Sequence, residues 1–326
     1  MPSPVRGDIN SVHRREWDER TNRPHVAGVG ISHPDRVLFP DAHVTKLGLA
    51  RYYESIADWI LPHLIDRPLT LVRCPTGVRA GSGKRGEECF FMKHSKVWAP
   101  KTIRRVRIRE KTKVGDYLIA DSLPAIVGLV QMDILEIHTW NSRFARVEQP
   151  DRVVIDLDPG DDVEWASIVA AARLVRELLA ALDLESFVKT TGGRGLHVVV
   201  PLTPAADWSR CLDFARAFAQ SLVRRQPEMF TERFGKAGRQ DKILIDYLRN
   251  NRTNTSIAAF STRARPSAPI SVPLAWRELS PPRPPARFTI HTVPSRLERL
   301  RSDPWKDYWR AKQRIGASAV AALEAM

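Results

Sequence analysis

Hydrophobic periodicity predicts several helices. From Leu49 to Ile60 apolar residues recur at helical spacing behind Thr45, a residue type that caps helix N-termini. We expect this first helix to end at Pro62. The other helices are predicted at residues 122–131, 163–182 and 211–224, with further helices after residue 288 that pack back on the core.

Strands are predicted where β-branched residues cluster or where apolar and polar residues alternate. The predicted strands are 69–74, 103–109, 134–139, 153–157, 196–200, 243–247 and 256–260. We expect the last two to pair with each other and the helix at 163–182 to join two strands. Local hairpins combined with one long crossover predict an α+β fold rather than a doubly wound parallel sheet.

The pattern also predicts how the chain is divided. Residues 1–30 are polar without periodicity and are expected to form an arm that is flexible unless a partner orders it. The main domain then covers 31–287 and ends in a stiff Pro-rich linker at 280–286, followed by a helical tail at 288–326. Residues 76–88 contain several glycines and basic side chains and are predicted to form a mobile basic loop.

Composition narrows the class of protein. With 326 residues, of which 43% are hydrophobic and 27% charged, the chain is expected to be a globular enzyme-sized unit. The most apolar long stretch, 168–182, contains three charged residues, so no membrane span is predicted. The cysteines Cys74, Cys89 and Cys211 are far apart without a C-x-x-C pair, which predicts neither a disulfide framework nor a cysteine zinc site and is typical of a reducing cytoplasm.

The charge balance suggests a polyanionic partner. Lys and Arg number 51 against 37 Asp and Glu, which gives a net charge of +14 and favours nucleic acid. Arginine dominates the basic residues, however, and a GC-rich genome would produce the same bias. Composition alone leaves both explanations open.

Two carboxylates in one apolar strand are the first candidate for chemistry. Asp156 and Asp158 are two residues apart, so the strand period places both on the same face. Two divalent cations would neutralise such a pair, and carboxylates shared between two metals are typical of displacement at phosphorus. The alternative is a strand end whose acids cap the next helix or pair with Arg.

A third carboxylate, Asp246, lies inside the apolar segment 242–249, where ordinary strands do not bury acids. A neighbouring strand is the natural donor of a further metal ligand. Taken alone, Asp246 is also explained as a core acid paired with Arg249. Arginines crowd the sequence that follows, as either a solvated basic face or a triphosphate site; they are Arg249, Arg252, Arg263 and Arg265.

A glycine-rich turn joins two predicted strands at 190–197. Its glycines would let backbone N–H groups approach a phosphate, and Arg194 would supply charge. It is not a Walker loop, and a hairpin turn is the plainer explanation. His138 and His197 lie in apolar strands, where a single histidine is usually a satisfied core residue.

Taken together, these motifs resemble the polymerase domain of bacterial DNA ligase D, a member of the archaeo-eukaryotic primase superfamily. The similarity covers nearly everything from about residue 30 to 310. It rests on Ser32–Pro40, Arg73-Cys-Pro, Phe90-Phe91-x-Lys93-His94, Glu136-Ile-His138-x-Trp140, Asp156-x-Asp158, Thr191-Gly-Gly-Arg194-Gly-Leu-His197, Ile245-Asp-Tyr-Leu-Arg-Asn250, Ser261–Arg265 and Pro273-Leu-x-Trp276.

The resemblance implies a primase-like core of two β-layers flanked by helices. It also implies template-directed nucleotidyl transfer with two Mn²⁺ or Mg²⁺ ions, often with ribonucleotides, during gap filling and 3′-end extension in double-strand-break repair. Its expected partners are DNA ends or gapped DNA with a 5′-phosphate, NTP or dNTP, Ku and an ATP-dependent DNA ligase. A bacterial cytoplasmic, nucleoid-associated protein without a membrane partner is the corresponding expectation.

Matching positions give the site residues that the resemblance implies. Asp156, Asp158 and Asp246 would be the catalytic metal ligands. The incoming triphosphate would be held by His138, Thr191, Arg194 and Arg263, with Thr191 standing where the family commonly has Ser. The implied DNA-binding residues are Arg36 and Lys46 for a 5′-phosphate, Phe90 and Phe91 for template stacking, and also Lys93 and Arg239.

No Lys-x-Asp-Gly, the nucleotidyl-lysine signature of a ligase, occurs in the sequence. We therefore expect no nick sealing by this chain, which is either a stand-alone polymerase or a segment of a larger enzyme. Two other functions stay open: a non-catalytic module that binds and aligns DNA ends through its basic surface, and a primase that starts chains de novo.

Overall fold

The computed structural model describes residues 17–18, 23–79, 89–95, 98–235 and 239–325. In these residues the helices are α1 (Lys46–Ser55), α2 (Ala57–Leu64), α3 (Leu123–Gln131), α4 (Trp165–Ala180), α5 (Trp208–Arg225), α6 (Thr292–Arg299) and α7 (Ala317–Ala325). None of them is long and apolar enough to cross a lipid bilayer.

The described strands form five sheets, two of which build the centre of the molecule. The strands are β1 (Trp17–Asp18), β2 (Arg23–Val26), β3 (Val29–Gly30), β4 (Val37–Phe39), β5 (Val44–Thr45), β6 (Leu69–Arg73), β7 (Phe90–Met92), β8 (Arg104–Arg109), β9 (Val114–Ile119), β10 (Ile134–Thr139), β11 (Arg152–Pro159), β12 (Phe187–Thr190), β13 (Leu196–Pro201), β14 (Phe230–Thr231), β15 (Ile243–Asp246), β16 (Ser256–Ile257) and β17 (Pro273–Leu274). The smaller central sheet has the order β16-β10-β6-β7 and the larger β14-β15-β11-β13-β12-β17.

The larger sheet separates apolar from charged residues. Its strands pair antiparallel except for β14 and β15, which are parallel. Ile155 and Leu157 of β11 are fully buried and belong to the same core cluster as the apolar side of α4. Alternation along β11 therefore places Asp156 and Asp158 on the opposite face, as the period of two predicted.

The segment after β15 passes from one central sheet to the other. Asp246 ends β15, and its side chain accepts a hydrogen bond from the N–H of Leu248 at 3.1 Å, which starts a 3₁₀ helix at Tyr247–Asn250. The chain then enters β16, which pairs with β10 rather than with β15. The predicted pairing of 243–247 with 256–260 is therefore wrong, because the capped turn redirects the chain between sheets.

Two local predictions at the N-terminal side also need correction. The first helix does begin after Thr45, whose Oγ1 accepts from the N–H of Gly48 at 3.1 Å. It breaks at Ile56 instead of ending at Pro62, and Pro62 lies inside α2. Residues 23–30 form a hairpin in which Val26 is fully buried, so this part of the expected arm is ordered by the core.

Residues of the C-terminal segment pack against the core. The indole N–H of Trp305 donates to the carbonyl of Val188 at 3.0 Å, and the Trp305 ring stacks on Tyr308. Leu323 of α7 is fully buried in the main core cluster. The tail therefore completes the fold of the larger sheet instead of extending from it.

One expectation from the cysteines is contradicted. Cys74, directly after β6, and Cys89, directly before β7, form a disulfide, while Cys211 is free and buried. Antiparallel pairing of β6 with β7 brings the two sulfurs together, a long-range effect that residue spacing does not reveal. Residues 80–88, which make up most of the predicted basic loop at 76–88, lie outside the described residues.

Candidate active site

A polar cleft opens between the two central sheets. Its lining includes the carboxylates of the larger sheet, the β12–β13 turn, the β16 backbone and several basic side chains. The lining residues are Phe91, His138, Asp156, Asp158, Thr191, Gly193, Arg194, Gly195, His197, Arg249, Thr255, Ser256, Ile257, Arg263 and Arg265.

Strand register places the acids in one row across the larger sheet. Asp156 of β11 lies directly opposite Asp246 of β15 on one side and His197 of β13 on the other. Asp158 follows two residues along β11 on the same face, and its side chain is 51% exposed, whereas that of Asp156 is 8% exposed. Register thus brings the three predicted metal ligands together, with Asp156 and Asp158 lining the cleft and Asp246 directly beside Asp156.

Two arginines form ion pairs with these three acids. The Nε of Arg249 is 3.0 Å from an oxygen of Asp156 and 3.0 Å from an oxygen of Asp246. The Nη2 of Arg239 lies 3.1 Å from Asp158. Arg239 reaches this position because residue 160 is glycine, since a side chain there would collide with the Arg239 carbonyl.

The acids of the row experience opposite environments. Burial alone would raise the pKa of Asp156, but His197 and Arg249 outweigh it and the pKa is lowered. Burial and repulsion from Asp156 raise the pKa of Asp158, against Arg239. Burial likewise raises the pKa of Asp246, against Arg249. The three carboxylates therefore differ in how readily they bind a proton, although they lie side by side.

The donor set fits a divalent cation by its chemistry. Carboxylate oxygens on neighbouring strands are the ligands that Mg²⁺ and Mn²⁺ prefer. Within the described residues no three acidic, histidine or cysteine side chains already converge on one point, because Arg249 lies between Asp156 and Asp246. Binding a metal would require the carboxylates to exchange guanidinium partners for the cation.

Glu136 holds two of the predicted nucleotide-binding residues. One oxygen of Glu136 lies 2.7 Å from the Nε2 of His138, and the other lies 3.1 Å from the Nε of Arg263. Glu136 is 1% exposed and also accepts the N–H of Ala264 at 2.9 Å. Burial lowers the pKa of His138, while Glu136 opposes this shift. The sequence motif contained Glu136, but only the contacts reveal that it orients both neighbours.

The glycine-rich turn between β12 and β13 forms the opposite wall. The hydroxyl of Thr191 donates to the Gly195 carbonyl at 3.1 Å and accepts the Gly193 N–H at 3.2 Å. The Nη1 of Arg263 donates to the Thr191 carbonyl at 2.8 Å, and Arg194 donates to the Val163 carbonyl at 2.7 Å. A side chain at residue 195 would collide with the Leu157 carbonyl, so glycine allows the turn to lie against the carboxylate strand.

Exposed aromatic residues border the cleft on the smaller sheet. Phe90 and Phe91 of β7 are 46% and 56% exposed, and the Phe91 ring lies edge-on to His138 with centroids 5.7 Å apart. Lys93, next along the chain, is 3.8 Å from Glu110. Of the two rings, that of Phe91 lines the cleft, and template stacking by both rings stays a prediction.

Arg36 and Lys46 do come together, but around a carboxylate. Both form an ion pair with Asp133, at 2.8 Å for the Lys46 Nζ, which also donates to the Gln131 carbonyl at 2.8 Å. Lys46 is 1% exposed, so burial lowers its pKa despite Asp133. Nearby Arg73 leaves cations in excess of acids at this location.

The sequence pattern did not identify His197 and Arg265 as residues of the candidate site. His197, which resembled an ordinary core histidine, lies 3.4 Å from Asp156, and burial together with Lys189 lowers the pKa of His197 to about 4. Arg265 lines the cleft next to Gly193, whereas Arg252 points away to Glu148. The dense arginine run did not separate Arg265 from Arg252, and the motif Ser261–Arg265 carried the resemblance without giving Arg265 a role.

Comparison with known proteins agrees with this geometry. The family profile "LigD, primase-polymerase domain" matches residues 45–305. The chain is 39% identical over 318 residues to the multifunctional non-homologous end joining protein LigD of Pseudomonas aeruginosa, covering 97% of this chain and 36% of that protein. It is 28% identical over 320 residues to the bifunctional LigD of Bacillus subtilis, covering 96% and 50%. The chain thus spans between about a third and a half of these relatives.

A solved structure shares the fold. The polymerase domain from Mycobacterium tuberculosis ligase D in complex with DNA superposes with a TM-score of 0.78 at 30% identity, covering 87% of this chain and 99% of that chain. The chain belongs to the LigD primase-polymerase domain family. The predictions of the family, of the primase-like α+β fold and of a nucleotidyltransferase class are confirmed.

Proposed function

We propose that this chain is a template-directed nucleotidyltransferase that fills gaps and extends 3′ ends of broken DNA. The observation that supports this most strongly is the group of three neighbouring carboxylates, of which Asp156 and Asp158 line a cleft with basic walls and Asp246 lies opposite Asp156. The relatives are named for non-homologous end joining, so Ku and an ATP-dependent ligase are the partners that the resemblance implies.

The residues of the cleft divide the work of the reaction. Asp156, Asp158 and Asp246 would hold two Mn²⁺ or Mg²⁺ ions, which would supply activation of the primer 3′-hydroxyl and neutralise the leaving pyrophosphate. His138, Arg194 and Arg263 would bind the triphosphate, with the backbone N–H groups of the Thr191 turn as further donors. Most of the chemistry is then charge placement and orientation.

DNA would approach along the smaller sheet. Phe90 and Phe91 present exposed rings on β7, and Phe91 lines the cleft, so template bases would stack on these rings without sequence preference. Lys93 lies beside them on β7's continuation, and Arg239 lies at the carboxylate end of the cleft. This arrangement suits a polymerase that accepts any template sequence.

Primer extension tests the proposal. Purified protein should add labelled nucleotides to gapped and tailed duplexes, and parallel reactions with rNTP or dNTP in Mn²⁺ or Mg²⁺ would reveal the preferred sugar and metal. A non-catalytic end-alignment module would bind the same duplexes and add nothing under any of these conditions. Product formation on a single-stranded template without a primer would instead indicate a de novo primase.

The 5′-phosphate pocket is tested separately from catalysis. Arg36, Lys46 and Arg73 surround one acid, Asp133, and this excess of positive charge supports a phosphate site. A 5′-phosphate on the downstream strand should tighten DNA binding. Combining Arg36→Ala with Lys46→Ala should erase that difference while extension of a plain primer-template continues. A phosphate effect that survives in the double variant would locate the contact elsewhere.

A further inference from the structure

A fully buried lysine lies in the same row as the carboxylates. Lys189 of β12 is 4% exposed and lies opposite His197 of β13, which in turn lies opposite Asp156. Among the described residues no carboxylate forms an ion pair with Lys189. Its Nζ instead donates to the Ile257 carbonyl at 2.9 Å and to the Ser271 hydroxyl at 2.7 Å.

The bond to Ile257 joins the two central sheets at the cleft. Ile257 belongs to β16 of the smaller sheet and is the register partner of His138 in β10. Residues 255–257 line the cleft. Lys189 therefore ties the larger sheet to the smaller one at the position along β10 where His138 enters the site.

The bond to Ser271 reaches the glycine-rich turn. The Ser271 hydroxyl donates to the Thr190 carbonyl at 2.7 Å, and the Thr190 hydroxyl accepts the Val272 N–H at 2.8 Å. Thr190 immediately precedes Thr191, whose hydroxyl organises the turn. The Lys189 side chain is thus connected by hydrogen bonds both to the strand next to His138 and to the turn that contains Thr191.

We propose that Lys189 is a positioning residue for the incoming nucleotide, which sets the spacing between the His138 strand and the Thr191 turn. This inference rests on the proposed nucleotidyltransferase function. Lys189 does not itself touch the substrate. It acts by fixing the distance between the two groups that do.

Stability alone does not explain a lysine at this position. Burial lowers the pKa of Lys189 well below its usual value, and Arg152 adds repulsion that Asp156 opposes. A buried cation with only neutral hydrogen-bond partners is costly, and an apolar side chain of similar length is often at least as stable. A lysine that weakens the core but ties two binding walls together is expected where geometry matters for function.

The test separates nucleotide affinity from stability. Lys189→Met should raise the nucleotide KM in Mn²⁺ about tenfold, and the nucleotide Kd from calorimetric titration by a similar factor. Its kcat should stay within about threefold and its melting temperature should be unchanged or higher. Lys189→Gln, which retains a neutral donor, should lose less affinity. Ser271→Ala removes only the hydrogen bonds that link Lys189 to Thr190. Its loss of nucleotide affinity should therefore be smaller than that of Lys189→Met.

Leu179→Ala is the matched control for general destabilisation. Leu179 is fully buried in α4, away from the cleft, so this variant should melt earlier with unchanged KM and Kd. Unchanged KM and Kd in Lys189→Met would overturn the inference, as would equal losses of stability, kcat and affinity. If the wild-type protein fails to extend primers, the proposed function is rejected. Calorimetric titration measures nucleotide binding without turnover, so it would still show whether Lys189 affects nucleotide affinity.

Discussion

The acids near the two ends of β11 form different kinds of ion pair with arginine. Asp151, directly before the strand, receives both terminal nitrogens of Arg67 at 2.8 and 2.6 Å, and Arg67 is 1% exposed. Asp156, five positions further, shares the single Nε of Arg249 with Asp246. At the Asp151 end one acid has two arginine partners, whereas in the cleft three acids have two.

This contrast distinguishes the Arg67–Asp151 ion pair from the ion pairs of the candidate site. The Arg67–Asp151 pair is bidentate, and Arg67 outweighs burial so that the pKa of Asp151 is lowered. In the cleft the three acids have only two direct arginine partners, and burial together with repulsion from Asp156 raises the pKa values of Asp158 and Asp246. Residue types are the same at both ends, so it is the ratio of charges and the geometry that indicate where a cation would bind.

The largest effect is expected on activity. Asp156→Asn should lower the rate of primer extension by about 10³-fold or more, because it removes a carboxylate from the centre of the row. DNA binding, measured by fluorescence anisotropy, should persist. Asp151→Asn should extend primers at nearly the wild-type rate per folded molecule. Equal activity losses in the two variants would erase the distinction between the ends.

For the free energy of unfolding we expect the reverse order, with a larger loss in Asp151→Asn than in Asp156→Asn. Asp151→Asn leaves Arg67 buried without its counter-charge and should reduce the free energy of unfolding by about 3–5 kcal/mol. Urea denaturation measures this change. Asp156→Asn should lose less, because Arg249 is 41% exposed and keeps Asp246 as an ion-pair partner, so no buried charge is left without a counter-charge. A larger loss in Asp156→Asn would identify the cleft acids as structural.

Arg249 is expected to compete with metal for the carboxylates. Arg249→Gln should tighten Mn²⁺ binding without nucleotide by about tenfold, because the guanidinium no longer lies between Asp156 and Asp246. Titration followed by Mn²⁺ electron paramagnetic resonance measures this directly. Weaker Mn²⁺ binding in the variant would mean that Arg249 holds the acids in position for the ion instead of competing with it.

The smallest effect concerns acid pH at the Arg67 end. Burial, with Arg152 and Arg67 nearby, lowers the pKa of His63 well below its ordinary value of 6.5. Below pH 6.5 the unfolded chain therefore takes up a proton that folded His63 does not, and stability falls. This loss should be about 1 kcal/mol between pH 6.5 and 5.5. His63→Phe should lack this part of the slope in urea denaturation at the two pH values, and an identical slope would assign it to other groups.

Local sequence was enough to predict the elements that carry the chemistry. The strands around Asp156 and His138 and the helix α4 follow from periodicity and β-branched composition, which report on each segment's own burial. The pairing of 243–247 with 256–260 was wrong because adjacency in sequence favoured a hairpin that the turn after Asp246 prevents. The Cys74–Cys89 disulfide and the buried pairing of Lys46 with Asp133 also depend on distant partners.

The sequence by itself determined the family resemblance, the face on which Asp156 and Asp158 lie and the types of residue available for binding phosphate. Only the tertiary structure decided which of them meet: Arg249 between two acids, Glu136 between His138 and Arg263, and Lys189 between the two sheets. The physical reason is the distance along the chain over which each interaction acts. Alternation and capping act within a few residues, whereas the charge surrounding a buried group is set by strands that lie far apart in the chain and become neighbours only in the folded protein.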